Sequence, residues 1–264
     1  MFNNTNSRHT FYAIFTFLGA LVLLFIIAPL LGLVLSTAPS DFFETSADEE
    51  VLRSVARTLI ISMAATLILG FFSIPLAYIL ARRNFYLKRL VLGIVDLPIV
   101  IPHAAAGIAI LGFISRDSIV GQAADSIGLN FVGHPAGIGI AMAFVSVPFL
   151  INAAREGFQA VPVRLEYAAL NCGANMSRVF FTVSLPLAWR SIITGFILMF
   201  ARGLSEFGAV VIVAYHPMVT SVLIYERFGA FGLQYARPVA ILFILVTLIF
   251  FVLLRMLTPG SKDA

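Results

Sequence analysis

Apolar residues in this chain come in long blocks joined by short polar connections. A helix needs about 20 mostly apolar residues to cross the hydrocarbon core of a bilayer. Six blocks reach that length, at approximately Phe11–Leu35, Thr58–Ala81, Leu90–Ile114, Pro135–Ala154, Ser191–Val213 and Pro238–Leu257. The third and fourth are rich in Gly and interrupted by Pro98, Pro102 and Pro148. Such residues are tolerated in membrane helices where neighbours satisfy the freed backbone groups. The pattern predicts an all-α, polytopic membrane protein with about six transmembrane helices. The first block is long for the apolar region of a cleaved signal, which is typically about 7–15 residues, and is read as a retained span.

Composition agrees. Of 264 residues, 60% are hydrophobic and 11% charged, with mean hydropathy +1.01. A soluble domain averages about 45–50% apolar and 25% charged residues, so water is the wrong solvent for this chain. The net charge of +4 does not point to nucleic acid, because the basic residues form short clusters between apolar blocks. A single cysteine, Cys172, excludes an intrachain disulfide and a cysteine-cluster metal site. The four histidines are scattered, and no His/Asp/Glu group has metal-ligand spacing.

The connections set an orientation. On the side of the N-terminus lie Arg8, Arg82, Arg83, Lys88, Arg89, Arg155, Arg164, Arg178, Arg190, Arg255 and Lys262. The opposite side carries Arg53, Arg57, Arg116, Arg227 and Arg237, while Arg202 falls within a span. Eleven against five puts both termini in the cytoplasm by the positive-inside rule. The first outer loop carries Asp41, Glu44, Asp48, Glu49 and Glu50, which reads as a solvated face.

The connection between the fourth and fifth blocks, about residues 155–190, is long and not low in complexity. Ala, Leu and Glu between Val163 and Leu170 favour a helix. Gly173 can end it, Ser177 could cap a second short helix, and Pro186 marks a later break. Long ordered loops are usually functional.

Here the chain resembles a known family. Tyr167-Ala168-Ala169, Gly173 and Leu185-Pro186 match the spacing of the EAA loop of ABC importer permeases: Glu-Ala-Ala, three residues, Gly, nine residues, Ile, one residue, Leu-Pro. Val183 stands at the Ile position. Tyr167 stands at the first position in place of the acid, and Glu166 lies one residue upstream. Pro75 to Arg82, Asp96 to His103, Phe180 to Leu187 and Ala201 to Ala209 are similar to stretches of oxyanion permeases, and the last two look closest to archaeal molybdate/tungstate permeases.

The resemblance implies a type I ABC importer transmembrane domain over residues 1–264, with a coupling loop at about 155–190. It implies a homodimeric pore, two cytoplasmic ATPase subunits that hold ATP and Mg, an extracytoplasmic oxyanion-binding protein, and no cofactor in this chain. Arg164, Glu166, Tyr167, Ala168, Ala169, Gly173, Arg178, Leu185 and Pro186 would form the ATPase-coupling loop. The same architecture carrying sulfate or another oxyanion is the alternative; an ion-coupled secondary transporter is the more distant one.

Three ionisable residues fall within or at the edge of the spans: Asp96, Arg202 and Glu206. Charges there are expensive and usually face the protein interior in pairs. Arg202 and Glu206, four apart, are expected to pair on one helix, and Asp96 could approach Arg202. With Pro98, Pro102, His103 and Ser205, these residues are expected to line or gate the path. Interrupted helices often do so in transporters. No Gly-x-x-x-x-Gly-Lys-Ser/Thr phosphate loop occurs, and neither Lys88 nor Lys262 follows Gly. The chain is therefore expected not to be an enzyme, and a membrane-bound lipid-modifying enzyme would need a polar catalytic cluster that the sequence lacks.

Overall fold

The computed structural model describes residues 4–256, all of whose regular elements are helices. Leu257 and Lys262 lie outside the described residues. The helices are α1 (Asn4–Leu35), α2 (Pro39–Ala47), α3 (Glu49–Arg82), α4 (Lys88–Val100), α5 (His103–Ile114), α6 (Ile119–Asp125), α7 (Pro135–Ala160), α8 (Val163–Asn171) and α9 (Met176–Val179). A π-helical turn (Phe180–Ser184) follows, then α10 (Leu185–Leu204), α11 (Gly208–Val213), α12 (Thr220–Phe231) and α13 (Leu233–Met256). Five helical stretches are long and apolar enough to cross a membrane, or six if the bent pair α4–α5 counts as one.

The core of the bundle is α3, α7 and α10, which pack along one another. Small residues allow their close approach, as in membrane bundles generally. A Cβ added at Gly70 of α3 would fall 2.2 Å from the Phe196 ring of α10. One added at Gly157 of α7 would fall 2.5 Å from Ser191 Cβ. Two buried apolar clusters lie at opposite ends. One gathers Val51, Ile138, Val145, Val210 and Val222; the other gathers Leu80, Phe158, Val161 and Ile192. The second lies toward the face that carries Arg82, Arg83, Lys88 and Arg89, called here the basic face. In contrast, α1 is exposed along nearly its whole described length and touches the bundle along α13. Arg237 of α13 donates to Ser36 O just beyond its end (3.1 Å).

The structure moves several expected boundaries. The second span begins at Glu49, not Thr58, because Asp48 caps it: its carboxylate accepts from Glu50 N at 2.9 Å. Acidic residues there suit the positive end of the helix dipole. At 34 residues, about 51 Å by helical rise, α3 outreaches the hydrocarbon core of about 30 Å. The third block is not one helix. It breaks at Ile101–Pro102 and turns by 112°. The fifth block is also redrawn: an unbroken helical path runs from Met176 to Leu204, and the chain breaks at Ser205–Phe207 before α11. The expected span Ser191–Val213 therefore starts late and runs across a real interruption.

Pro186 does not break the helix, contrary to expectation. A proline at this position removes a backbone donor that an α-helix would use. The preceding turn is wound as a π-helix instead, with Leu185 N donating to Phe180 O, and the axis continues. Two glycines in the first turns of α7 have different surroundings. Gly137 abuts Phe131 O, at 2.2 Å from an added Cβ, whereas Gly139 meets nothing closer than 3.5 Å.

Candidate functional site

The first candidate is the connection on the basic face. Helix α7 ends at Ala160, and Pro162 holds Val161 in an extended conformation, so the chain turns rather than continuing as helix. Helix α8 then runs from Val163 to Asn171. Its exposed side carries Arg164, Leu165, Tyr167 and Ala168, with Ala169 half-buried. Gly173 adopts φ +86°, a conformation open to glycine at little cost, and Gly173 N donates to Leu170 O at 2.9 Å. The next helix starts two residues earlier than expected. Asn175, not Ser177, caps it by accepting from Arg178 N at 2.8 Å. Exposed Arg178 is continuous with the fifth span through the π turn, and half-buried Leu185 and exposed Pro186 open α10.

Glu166 points the other way and is buried. Its Oε1 accepts from Arg82 Nε at 2.9 Å and Ser184 Oγ at 2.6 Å, and lies 2.8 Å from Arg82 Nη2. Arg82 Nη2 also donates to Val161 O at 3.0 Å. One carboxylate thus joins α8 to the end of α3, the end of α7 and the π turn before α10. The sequence does not announce Arg82 or Ser184 as its partners. A carboxylate on the buried side of a short helix is the only signal that a cation must meet it.

The second candidate lies at the two breaks. Glu206, expected on one helix with Arg202, stands beyond the end of α10 and is fully buried. The pairing still forms: Arg202 Nη2 is 3.0 Å from Glu206 Oε2. Glu206 Oε1 accepts from Ala209 N at 2.9 Å, in the first turn of α11. His103, at the start of α5, completes the group. Its Nδ1 lies 3.0 Å from Glu206 Oε2, and its Nε2 lies 2.8 Å from Arg202 Nη2. Arg202 Nη1 also donates to Ser205 Oγ at 3.2 Å. Ser221 holds the break from behind, donating to Glu206 O at 2.9 Å. The starts of α5 and α11 are pressed together there, with His103 Cβ 2.8 Å from a Cβ added at Gly208.

Asp96 does not join this cluster. Its Oδ1 accepts from Asn152 Nδ2 of α7 at 2.6 Å, nearer the basic face. Pro98 is buried within α4, and exposed Pro102 stands at the break before His103. Among the described residues, no three His, Cys, Asp or Glu side chains are grouped to hold a metal ion.

Comparison with known proteins agrees with this architecture. The model of the family described as "Binding-protein-dependent transport system inner membrane component" matches residues 73–263. The molybdate/tungstate transport system permease protein WtpB of Methanocaldococcus jannaschii is 41% identical over 236 residues, 89% of this chain and 92% of that protein. A probable sulfate transport system permease protein of Chlorokybus atmophyticus is 34% identical over 191 residues, 71% of this chain and 67% of that protein. Among solved structures, a bacterial ABC transporter involved in import of the acidic polysaccharide alginate superposes with TM-score 0.75 over 98% of both chains, at 18% identity.

Proposed function

Because this chain belongs to the family of binding-protein-dependent transport system inner membrane components, we propose that it is the membrane-spanning permease subunit of an ABC importer for molybdate and tungstate. The observation that carries the substrate class is the 41% identity, across nearly the whole chain, to a permease named for those two anions. Sulfate is the second reading, supported by the more distant sulfate permease relative.

In this reading the basic face is cytoplasmic, which follows the asymmetry of Lys and Arg. Two copies of the chain form the path. An oxyanion-binding protein delivers substrate at the far face, and two ATPase subunits holding ATP and Mg dock at the basic face. Helix α8 is the contact to the ATPase. Its exposed side offers small residues and Tyr167 to a cleft, and Gly173 permits the turn that leads back to the fifth span. Closure of the ATPase pair swings α8 with its attached spans as a rigid body. The chain itself supplies no phosphate loop, so hydrolysis belongs to the partners.

The Arg202–Glu206–His103 group acts as a brace and gate in the path. A dianion passing along it meets an arginine already neutralised by Glu206, so the contact is weak and release is fast. High affinity belongs to the external binding protein.

The test is copurification with the ATPase subunits. Substitution Ala169→Arg puts bulk and charge on the coupling helix, and Gly173→Leu strains a positive-φ position. The expected result is loss of the ATPase from the complex, or loss of oxyanion-stimulated hydrolysis, while the permease stays folded in detergent. Retention of both properties by both variants would show that α8 is not the coupling element.

A further inference from the structure

The Glu166 junction does more than bury a charge. Four parts of the chain converge on one carboxylate and one guanidinium. Arg82 sits in the last turn of α3, Val161 O closes α7, Glu166 belongs to α8, and Ser184 ends the π turn that feeds α10. The contacts are short, and both charged side chains are about nine-tenths buried, at 12% exposure for Arg82 and 9% for Glu166. Next to it lies a second junction of the same three spans. The rings of Tyr78 (α3), Phe158 (α7) and Phe180 (π turn) pack with centroids 5.0 to 6.0 Å apart.

These observations fit poorly with a coupling helix held by its flanking chain alone. Only Val161 and Pro162 separate α7 from α8, but on the other side Cys172, Gly173 and Ala174 give a turn that by itself would let α8 pivot. The Arg82–Glu166–Ser184 tie removes that freedom. It fixes α8 to the ends of the second, fourth and fifth spans at once. The π turn contributes by presenting Ser184 toward α8 while the helix axis continues past Pro186. Such turns are frequent at functional positions.

We infer that Arg82 and Ser184 are positioning residues that act through Glu166, making α8 a rigid extension of three spans, so that motion of the bound ATPase reaches the path without being absorbed at the loop. The inference rests on the reading of α8 as the ATPase contact. It makes a claim that burial alone does not: loosening the tie uncouples hydrolysis from transport, whereas weakening a purely structural pair lowers both together.

The experiment uses the complete transporter, with permease, ATPase subunits and binding protein, reconstituted in liposomes. The readout is ATP hydrolysed per tungstate imported. Arg82→Ala removes the tie to Glu166 and Val161 but leaves the exposed side of α8 unchanged. The expected result is normal copurification of the ATPase and a ratio raised about five- to tenfold, the size of a typical coupling between sites. Arg82→Lys keeps the charge but cannot span both acceptors, and gives an intermediate ratio. The pair Arg82→Gln with Glu166→Gln restores a neutral hydrogen-bonded tie and brings the ratio back toward wild type. If Arg82→Ala does not accumulate, Ser184→Ala carries the test: it removes one bond and no charge, and the ratio rises about twofold or more, the factor one hydrogen bond supplies. Unchanged ratios in the variants that assemble overturn the inference, as does a parallel fall in hydrolysis and import. Failure of the underlying reading looks different. In that case Ala169→Arg leaves the ATPase bound and stimulated, whatever the Arg82 variants do.

Discussion

At the scale of single residues, the charged groups are placed by what neutralises them. Glu206 is fully buried, and it is tolerated because Ala209 N–H, Arg202 and His103 surround it. Removing one partner of a buried pair leaves the other uncompensated, at a cost of about 3–5 kcal/mol. Arg202 keeps 22% of its side chain exposed, so Glu206→Ala is expected at the low end, about 3 kcal/mol. Glu206→Gln can still accept from Ala209 N and is expected to cost less. Thermal unfolding of the two variants in detergent checks the order, and equal losses would mean that the capping bond contributes nothing.

Asp48 gives a second prediction at this scale. Its carboxylate accepts from Arg227 Nη2 at 2.6 Å. That bond holds its pKa below the ordinary carboxylate value, helped by Glu50 N–H, while burial pushes the other way. A folded-state pKa below the unfolded one means the stabilisation is present above the unfolded pKa and is lost as pH falls through the folded one. Wild type is therefore expected to be more stable than Asp48→Asn at neutral pH. The gap should close as pH drops below about 4. A gap that stays constant from neutral to acid pH would rule out Arg227 as its source.

At the scale of elements, hydropathy located most spans because a run of about 20 apolar residues has few alternatives. The interruption in the third block was also legible, since Pro102 stands at it, whereas Pro98 and Pro148, expected to interrupt their blocks too, lie within α4 and α7 without ending them. The break after Leu204 was not. Phe207, Ala209, Val210, Val211, Ile212 and Val213 resume the apolar run beyond the buried Glu206, so composition alone sees one span. The continuity through Pro186 was hidden for the opposite reason. A proline reads as a stop unless the turn before it can be rewound, and a π turn has no plain sequence signature. The motif spacing marks α8 as a short helix ending at Gly173 but does not separate its sides, and it groups Glu166 with its exposed neighbours. The buried contacts of Glu166 were not legible, because Arg82 and Ser184 lie 84 and 18 residues from it. Asp96 shows the same limit: a charge in a span must have a partner, but only the packing of α4 on α7 chooses Asn152 over Arg202.

At the scale of the whole molecule, apolar side chains face outward along α1 and much of α3 and α13, while the interior combines buried apolar clusters with hydroxyls and the carboxylates of Glu166 and Glu206. The outward apolar side chains suit contact with lipid, and the two buried carboxylates are each met by an arginine. The two candidate sites lie at different depths, one at the end of the bundle on the basic face and one at the breaks within it. The span α10 connects them directly, since the π turn that meets Glu166 leads without interruption to Arg202. In the proposed reading, movement imposed at α8 reaches the Arg202–Glu206–His103 group along one helix.

The most direct test of the account is ATP-driven import. The chain, its ATPase subunits and its binding protein are reconstituted in liposomes, and uptake of labelled molybdate, tungstate and sulfate is measured with and without ATP. The account predicts accumulation of molybdate and tungstate that requires both ATP and the binding protein, with sulfate poorly transported. Oxyanion uptake that proceeds without the ATPase subunits, driven by an ion gradient, would contradict it.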